Sequence, residues 1–160
     1  MTVTSVHKDP EARTMTITSE FAAPIDRVWQ LWEDPRLLER WWGPPTYPAT
    51  FVDHDLSVGS TVSYFMTGPG GDQPRGWWRV LEVDVPRHLR FESGFSDDDG
   101  HPNAAMPFMT NHVTLSEQPD GVTRMAIETK FASLDDMEKI MSMGMEEGMK
   151  EALSQIDTLL

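Results

Sequence analysis

The chain has no cysteine. That absence excludes disulfides, thiol nucleophiles and cysteine-ligated metals. It also lacks a long apolar run. With no stretch of about 18 apolar residues, the sequence predicts no transmembrane helix. The N-terminus, MTVTSVHKDPEART, has no apolar core of the kind a signal peptide carries. These absences predict a cytoplasmic protein with no membrane partner. Basic residues are scarce as well, 13 against 26 acidic ones, for a formal charge of −13. Nucleic acids and anionic membrane surfaces are recognised through basic patches, so neither is expected as a partner.

Catalytic and cofactor motifs are also missing. There is no glycine-rich dinucleotide or phosphate loop and no G-x-S-x-G nucleophile turn. Five histidines occur, His7, His54, His88, His101 and His112. None stands at H-x-H or H-x-x-x-H spacing, so no metal site is expected and no cofactor is implied. Asp97-Asp98-Asp99-Gly100 lacks the alternation and the closing glutamate of a calcium loop.

What the chain does have is tryptophan. Four of its six tryptophans lie in Glu20–Pro45, EFAAPIDRVWQLWEDPRLLERWWGPP. Ile25, Val28, Trp29 and Trp32 fall at i, i+3, i+4 and i+7, one buried helical face after the break at Pro24. Asp34-Pro35 starts a second short helix, which Gly43-Pro44-Pro45 ends. This V of helices carries a large aromatic load, suited to a packed core or to the wall of a cavity.

The remaining pattern is mostly β. Met15, Ile17 and Phe21 alternate with Thr14, Thr16, Thr18 and Glu20, predicting a half-buried strand. Six further strands are predicted at 47–55, 60–67, 75–85, 88–95, 108–117 and 122–131. Their hairpin spacing implies an antiparallel meander, with a tight turn at Asp120-Gly121. Residues 1–12 are expected to be loosely ordered. From Ser133 onward, Met137, Ile140, Met141, Met145, Met149, Ala152, Leu153, Ile156 and Leu160 form one stripe, predicting a single long helix. Gly144 and Gly148 interrupt it at about 1 kcal/mol each against alanine. A helix rich in methionine and glycine fits adaptable packing, or a space beneath it for an apolar molecule. All 160 residues are read as one domain.

Taken together, F-A-A-P-I-D-R-V-W-Q-L-W-E-D-P (21–35), W-W-G-P (41–44), R-V-L-E-V-D-V-P-R-H-L-R-F (79–91) and G-M-E-E-G-M-K-E-A-L (144–153) resemble the AHSA-type branch of the START/birch-allergen (SRPBCC) superfamily. The resemblance covers about residues 13–160. It implies an α+β helix-grip fold: a seven-stranded antiparallel sheet wrapped round a long C-terminal helix, with two short helices closing one end. It also implies an internal cavity for a small hydrophobic molecule such as a lipid, polyketide or aromatic metabolite. No fixed catalytic set comes with the family, so whether the chain is an enzyme stays open. Where relatives often carry Gly-Trp, this chain has Gly148-Met149, which suggests a roomier cavity wall.

Three functions follow as expectations. The first is binding of a hydrophobic ligand in a cavity lined by Trp41, Trp42, Phe51, Phe65, Phe91, His112, Met141, Met145 and Met149, with one of Trp77 and Trp78 facing in. Trp78 is taken as the inward one. The second is a metal-free cyclase, dehydratase or isomerase using a cavity carboxylate or histidine, with His112 as the weak catalytic candidate. The third is a domain that contacts a chaperone or regulator. A homodimer is compatible with the sequence.

Overall fold

The computed structural model describes residues 3–160. Among the described residues there are eight strands: β1 (Val3–Asp9), β2 (Thr14–Phe21), β3 (Ala49–Asp53), β4 (Thr61–Met66), β5 (Arg75–Asp84), β6 (His88–Ser96), β7 (Met109–Gln118) and β8 (Val122–Phe131). They form one antiparallel sheet in the order β1-β2-β8-β7-β6-β5-β4-β3. Helices α1 (Ile25–Glu33) and α2 (Pro35–Leu38) follow β2, and α3 (Leu134–Ser142) and α4 (Met145–Leu153) follow β8. The fold is α+β and consistent with a helix grip. No helix among the described residues is long and apolar enough to cross a membrane.

Two expectations are corrected. Residues 3–9 are not loose; they form the eighth strand, paired with β2 from Val3↔Ser19 to Asp9↔Thr14. Its side chains are mostly exposed, with only Val3, Val6 and Asp9 half-buried. Backbone pairing rather than apolar alternation makes this strand, so its pattern carries no signal. Residues 1 and 2, part of the same expectation, lie outside the described residues. The second correction is the C-terminal helix, which is broken. Gly144 takes a left-handed conformation (φ +86°) between α3 and α4, and a 3-10 turn covers Ile156–Leu159. Glycine adopts that conformation without a Cβ penalty. The apolar stripe survives the break because both halves turn the same side to the sheet: Met137, Ile140, Leu153 and Ile156 are all buried in the core.

Local signals hold elsewhere. Asp34 accepts a hydrogen bond from the backbone N–H of Arg36 at 2.9 Å, and Ser133 accepts one from that of Asp136 at 3.1 Å. Asp120 and Gly121 both have positive φ (65° and 73°), as a tight hairpin turn requires. Period two then sets the faces. Met15, Ile17, Phe21, Val62, Trp78, Val80, Leu89, Phe91, Val113, Leu115, Met125, Ile127 and Phe131 point inward, onto the helices.

Lys8 on the edge strand donates to Glu146 Oε1 in the first turn of α4 at 2.7 Å. That bond, more than any other influence, holds the Glu146 carboxyl below its ordinary value of 4.5. A depressed carboxyl pKa stabilises the fold above its unfolded value and loses that contribution as pH falls through the folded one. Lys8→Met is therefore expected to lower Tm at neutral pH, with the gap to wild type closing as pH falls below 4.5. A gap that stays constant down to about pH 3 refutes the coupling.

Candidate functional site

The break in the C-terminal helix borders an apolar hollow that is open to the surface. An apolar cavity of about 220 Å³ lies between Phe95 of β6, Met109 of β7, Ile140 of α3 and the Met143-Gly144-Met145 junction. A Cβ on Gly144 would meet nothing within 4 Å, so the junction borders open space. A larger groove, about 370 Å³, runs beside the start of α1 and includes Asp26, Arg87 and Glu117. It is lined by exposed charges, and no buried polar group faces it without a partner.

One step inward from Phe95 and Met109 on the same face, the sheet turns polar. Ser93, Asn111 and Thr129 are 7, 5 and 2% exposed. Asn111 Nδ2 donates to Ser93 Oγ at 2.8 Å, and Thr129 Oγ1 donates to Asn111 Oδ1 at 2.9 Å. Three neighbouring strands thus share one buried polar row. Such a row is tolerated in an apolar core because each member is paired.

Beyond it stands an aromatic cluster. Trp78 stacks on Phe91 with centroids 4.2 Å apart. Trp42 meets Trp78 edge to face at 4.9 Å, and Phe51 stacks on Tyr64 at 5.0 Å. Trp32 and Trp41 close the group from the helical V, 4.8 Å apart. Trp41 Nε1 has a partner, donating to the Leu31 carbonyl at 2.9 Å. Trp42 Nε1 and Trp78 Nε1 do not: both are buried with no acceptor in hydrogen-bond geometry. Both indole N–H groups turn toward the Tyr64 hydroxyl without completing a bond to it. Burial raises the pKa of that hydroxyl, and the two indoles oppose the shift. Tyr64 is a neutral phenol at physiological pH, able to donate or accept. Its ring fills the place where a Cβ on residue 76 would sit, which accounts for Gly76 in the adjoining strand.

The expected cavity residues divide three ways. Trp41, Phe51, Trp78 and Phe91 are buried in the cluster, and Trp42 joins it half-buried. Met141, Met145 and Met149 pack half-buried against the core, but only Met145 lines the cavity at the helix junction. Phe65 and His112 lie on the outer face. Strand alternation is the reason. Val62, Tyr64 and Met66 point inward, so Phe65 points out, with the Arg75 guanidinium 5.3 Å over its ring. Asn111, Val113 and Leu115 are buried, so His112 points out, 3.3 Å from His88. Trp77 is also outward, its ring laid against Gly94. Sequence reasoning passed over Tyr64, Ser93, Phe95, Met109, Asn111 and Thr129. Extending the period of two from Phe91, Val113 and Phe131 would have found five of them; only Tyr64 needs the register of β4.

The comparisons agree with this architecture. The crystal structure of protein Ms6760 from Mycobacterium smegmatis is 47% identical, with TM-score 0.91 over 99% of this chain and 96% of that one. The solution structure of a protein from Arthrobacter aurescens is 50% identical, with TM-score 0.93 over 98% of this chain and 90% of that one. CalU16 from Micromonospora echinospora is similar in fold alone, at 21% identity and TM-score 0.57 over 92% of this chain and 79% of its own. No curated protein matches the sequence. The family model described as Activator of Hsp90 ATPase homolog 1-like protein matches residues 22–160, from the helical V through the sheet to the last turn. The chain belongs to the Activator of Hsp90 ATPase homolog 1-like (AHSA1) family.

Proposed function

We propose that the protein binds a small, mainly apolar molecule bearing one or two polar atoms, admitted where α3 gives way to α4. The observation that supports this reading is the apolar hollow between Phe95, Met109, Ile140 and the Met143-Gly144-Met145 junction, with the polar row Ser93, Asn111 and Thr129 one step inward on the same face. The cavity at the junction, about 220 Å³, is below the usual ~300–1,000 Å³ of small-molecule sites. Met141, Met145 and Met149 are the side chains able to rearrange and enlarge it, because an unbranched thioether repacks easily.

The enzymatic alternative loses its histidine, since His112 faces away from the interior. Tyr64, with its pKa raised, offers a hydrogen bond rather than a base. Binding is therefore the reading the site supports over catalysis.

The test is native mass spectrometry of freshly purified protein, followed by extraction of anything bound and a thermal-shift panel of lipids and aromatic compounds. A reproducible adduct is expected, and Met145→Trp, which blocks the opening, is expected to abolish it while leaving the circular dichroism spectrum intact. If wild type carries no adduct and no compound raises Tm, the binding reading fails and a protein-contact role replaces it.

A further inference from the structure

His88 and His112 are 24 residues apart in sequence, so no local spacing marks them as a pair. The β6–β7 ladder brings them together diagonally on the outer face: Arg90 stands opposite His112, and Thr114 opposite His88. Both rings are half-buried. Nδ1 of His88 lies 3.3 Å from Nε2 of His112, with ring centroids 5.4 Å apart.

We propose that these two nitrogens form a chelating site for a divalent transition-metal ion that prefers imidazole, such as Zn²⁺, Ni²⁺ or Cu²⁺. The argument is geometric. Two imidazole nitrogens at ~2.05 Å from a tetrahedral ion stand about 3.3 Å apart, with ring centroids about 5.2 Å apart. The observed pair sits near both values before any ion is considered. As a hydrogen bond, 3.3 Å is long against the ~2.7–3.2 Å of well-formed N–H donors. Binding needs a shift of tautomer and a small turn of the rings: each neutral ring carries its proton on the outer nitrogen, Nε2 of His88 and Nδ1 of His112, and turns a lone pair to the ion.

The surroundings favour a cation. Asp84 stands opposite His88 on β5, and Glu128 opposite His112 on β8. Arg90, the cation opposite His112, has Glu82 as its partner at 3.8 Å. Water would complete the coordination, or Glu128 after a change of rotamer. Imidazole donors select zinc, nickel or copper over calcium or magnesium, which take oxygen. Such an ion would fasten β6 to β7 on the face opposite the candidate ligand site, so the two proposals are independent. The exposed group Asp97, Asp99 and His101 in the loop after β6 is the rival location.

The experiment is isothermal titration of the full chain with ZnCl₂ at about pH 7.5. One site is expected in wild type. His88→Ala and His112→Ala should each weaken it roughly tenfold or more, and His101→Ala should leave it unchanged. Because a half-buried substitution can disturb the sheet, the wild-type protein is also followed by ¹⁵N spectra of its histidine rings. Zinc is expected to move the signals of His88 Nδ1 and His112 Nε2. Shifts confined to His101, or equal affinity in all three variants, would overturn the proposal, as would no binding below millimolar zinc.

Discussion

Trp32→Ala is expected to remove about 3–5 kcal/mol of stability, the usual loss when a fully buried tryptophan is cut back to alanine. The reason lies in what the ring touches. Trp32 is 0% exposed and sits within 6.1 Å, centroid to centroid, of Trp41, Trp42, Trp78 and Phe91. Its ring contacts both the rest of the helical V and the inner face of the sheet. Its Nε1 reaches the Met125 sulfur at 3.3 Å, a weak contact, so packing rather than hydrogen bonding sets the cost. For a domain with about 5–15 kcal/mol in total, a loss of that size removes between about a fifth and all of the stability. Trp32→Phe keeps most of the apolar area and should lose less than half as much. Urea unfolding followed by far-ultraviolet circular dichroism checks both, since tryptophan fluorescence itself changes with the substitution. A loss under about 1 kcal/mol for the alanine variant, with the m-value unchanged, would mean the cluster closes over the gap and is not the keystone of the fold.

This cluster was legible in the sequence for a simple reason. Ile25, Val28, Trp29 and Trp32 repeat at helical spacing, and a helix with that face must bury it. The strands were equally legible, because their alternation is local. Three things were not. β1 is held by backbone pairing, which leaves no side-chain pattern. The break at Gly144 follows from one left-handed residue, and a single glycine within an unbroken apolar stripe reads as a tolerated defect. The inward or outward direction of Phe65 and His112 was available from parity: His112 is one residue out of step with Val113, Leu115 and Met109, so it cannot share their face. Naming it a cavity residue put chemical type ahead of strand period, and the structure corrects that order. The same parity exposes Asn111 as the inward residue. The meeting of His88 and His112 needs the register of two strands, which no linear spacing contains.

The buried row Ser93–Asn111–Thr129 separates stability from recognition. Asn111→Ala is expected to cost about 2–4 kcal/mol, because the Ser93 and Thr129 hydroxyls lose their partner and a void remains. The triple replacement Ser93→Ala, Asn111→Val, Thr129→Val changes more atoms but leaves no hydroxyl stranded. Buried polar groups replaced together by apolar ones of similar shape cost little, so the triple variant should be more stable than the single one. Urea midpoints of the three proteins decide it. If the triple variant is the least stable, the row is a structural clamp joining β6, β7 and β8, and its position beneath the cavity is incidental. If it is near wild type, the core does not need these groups to fold. They would then be best explained by an oxygen or nitrogen that a bound molecule brings within reach, and loss of the native adduct in the folded triple variant would tie the row to recognition.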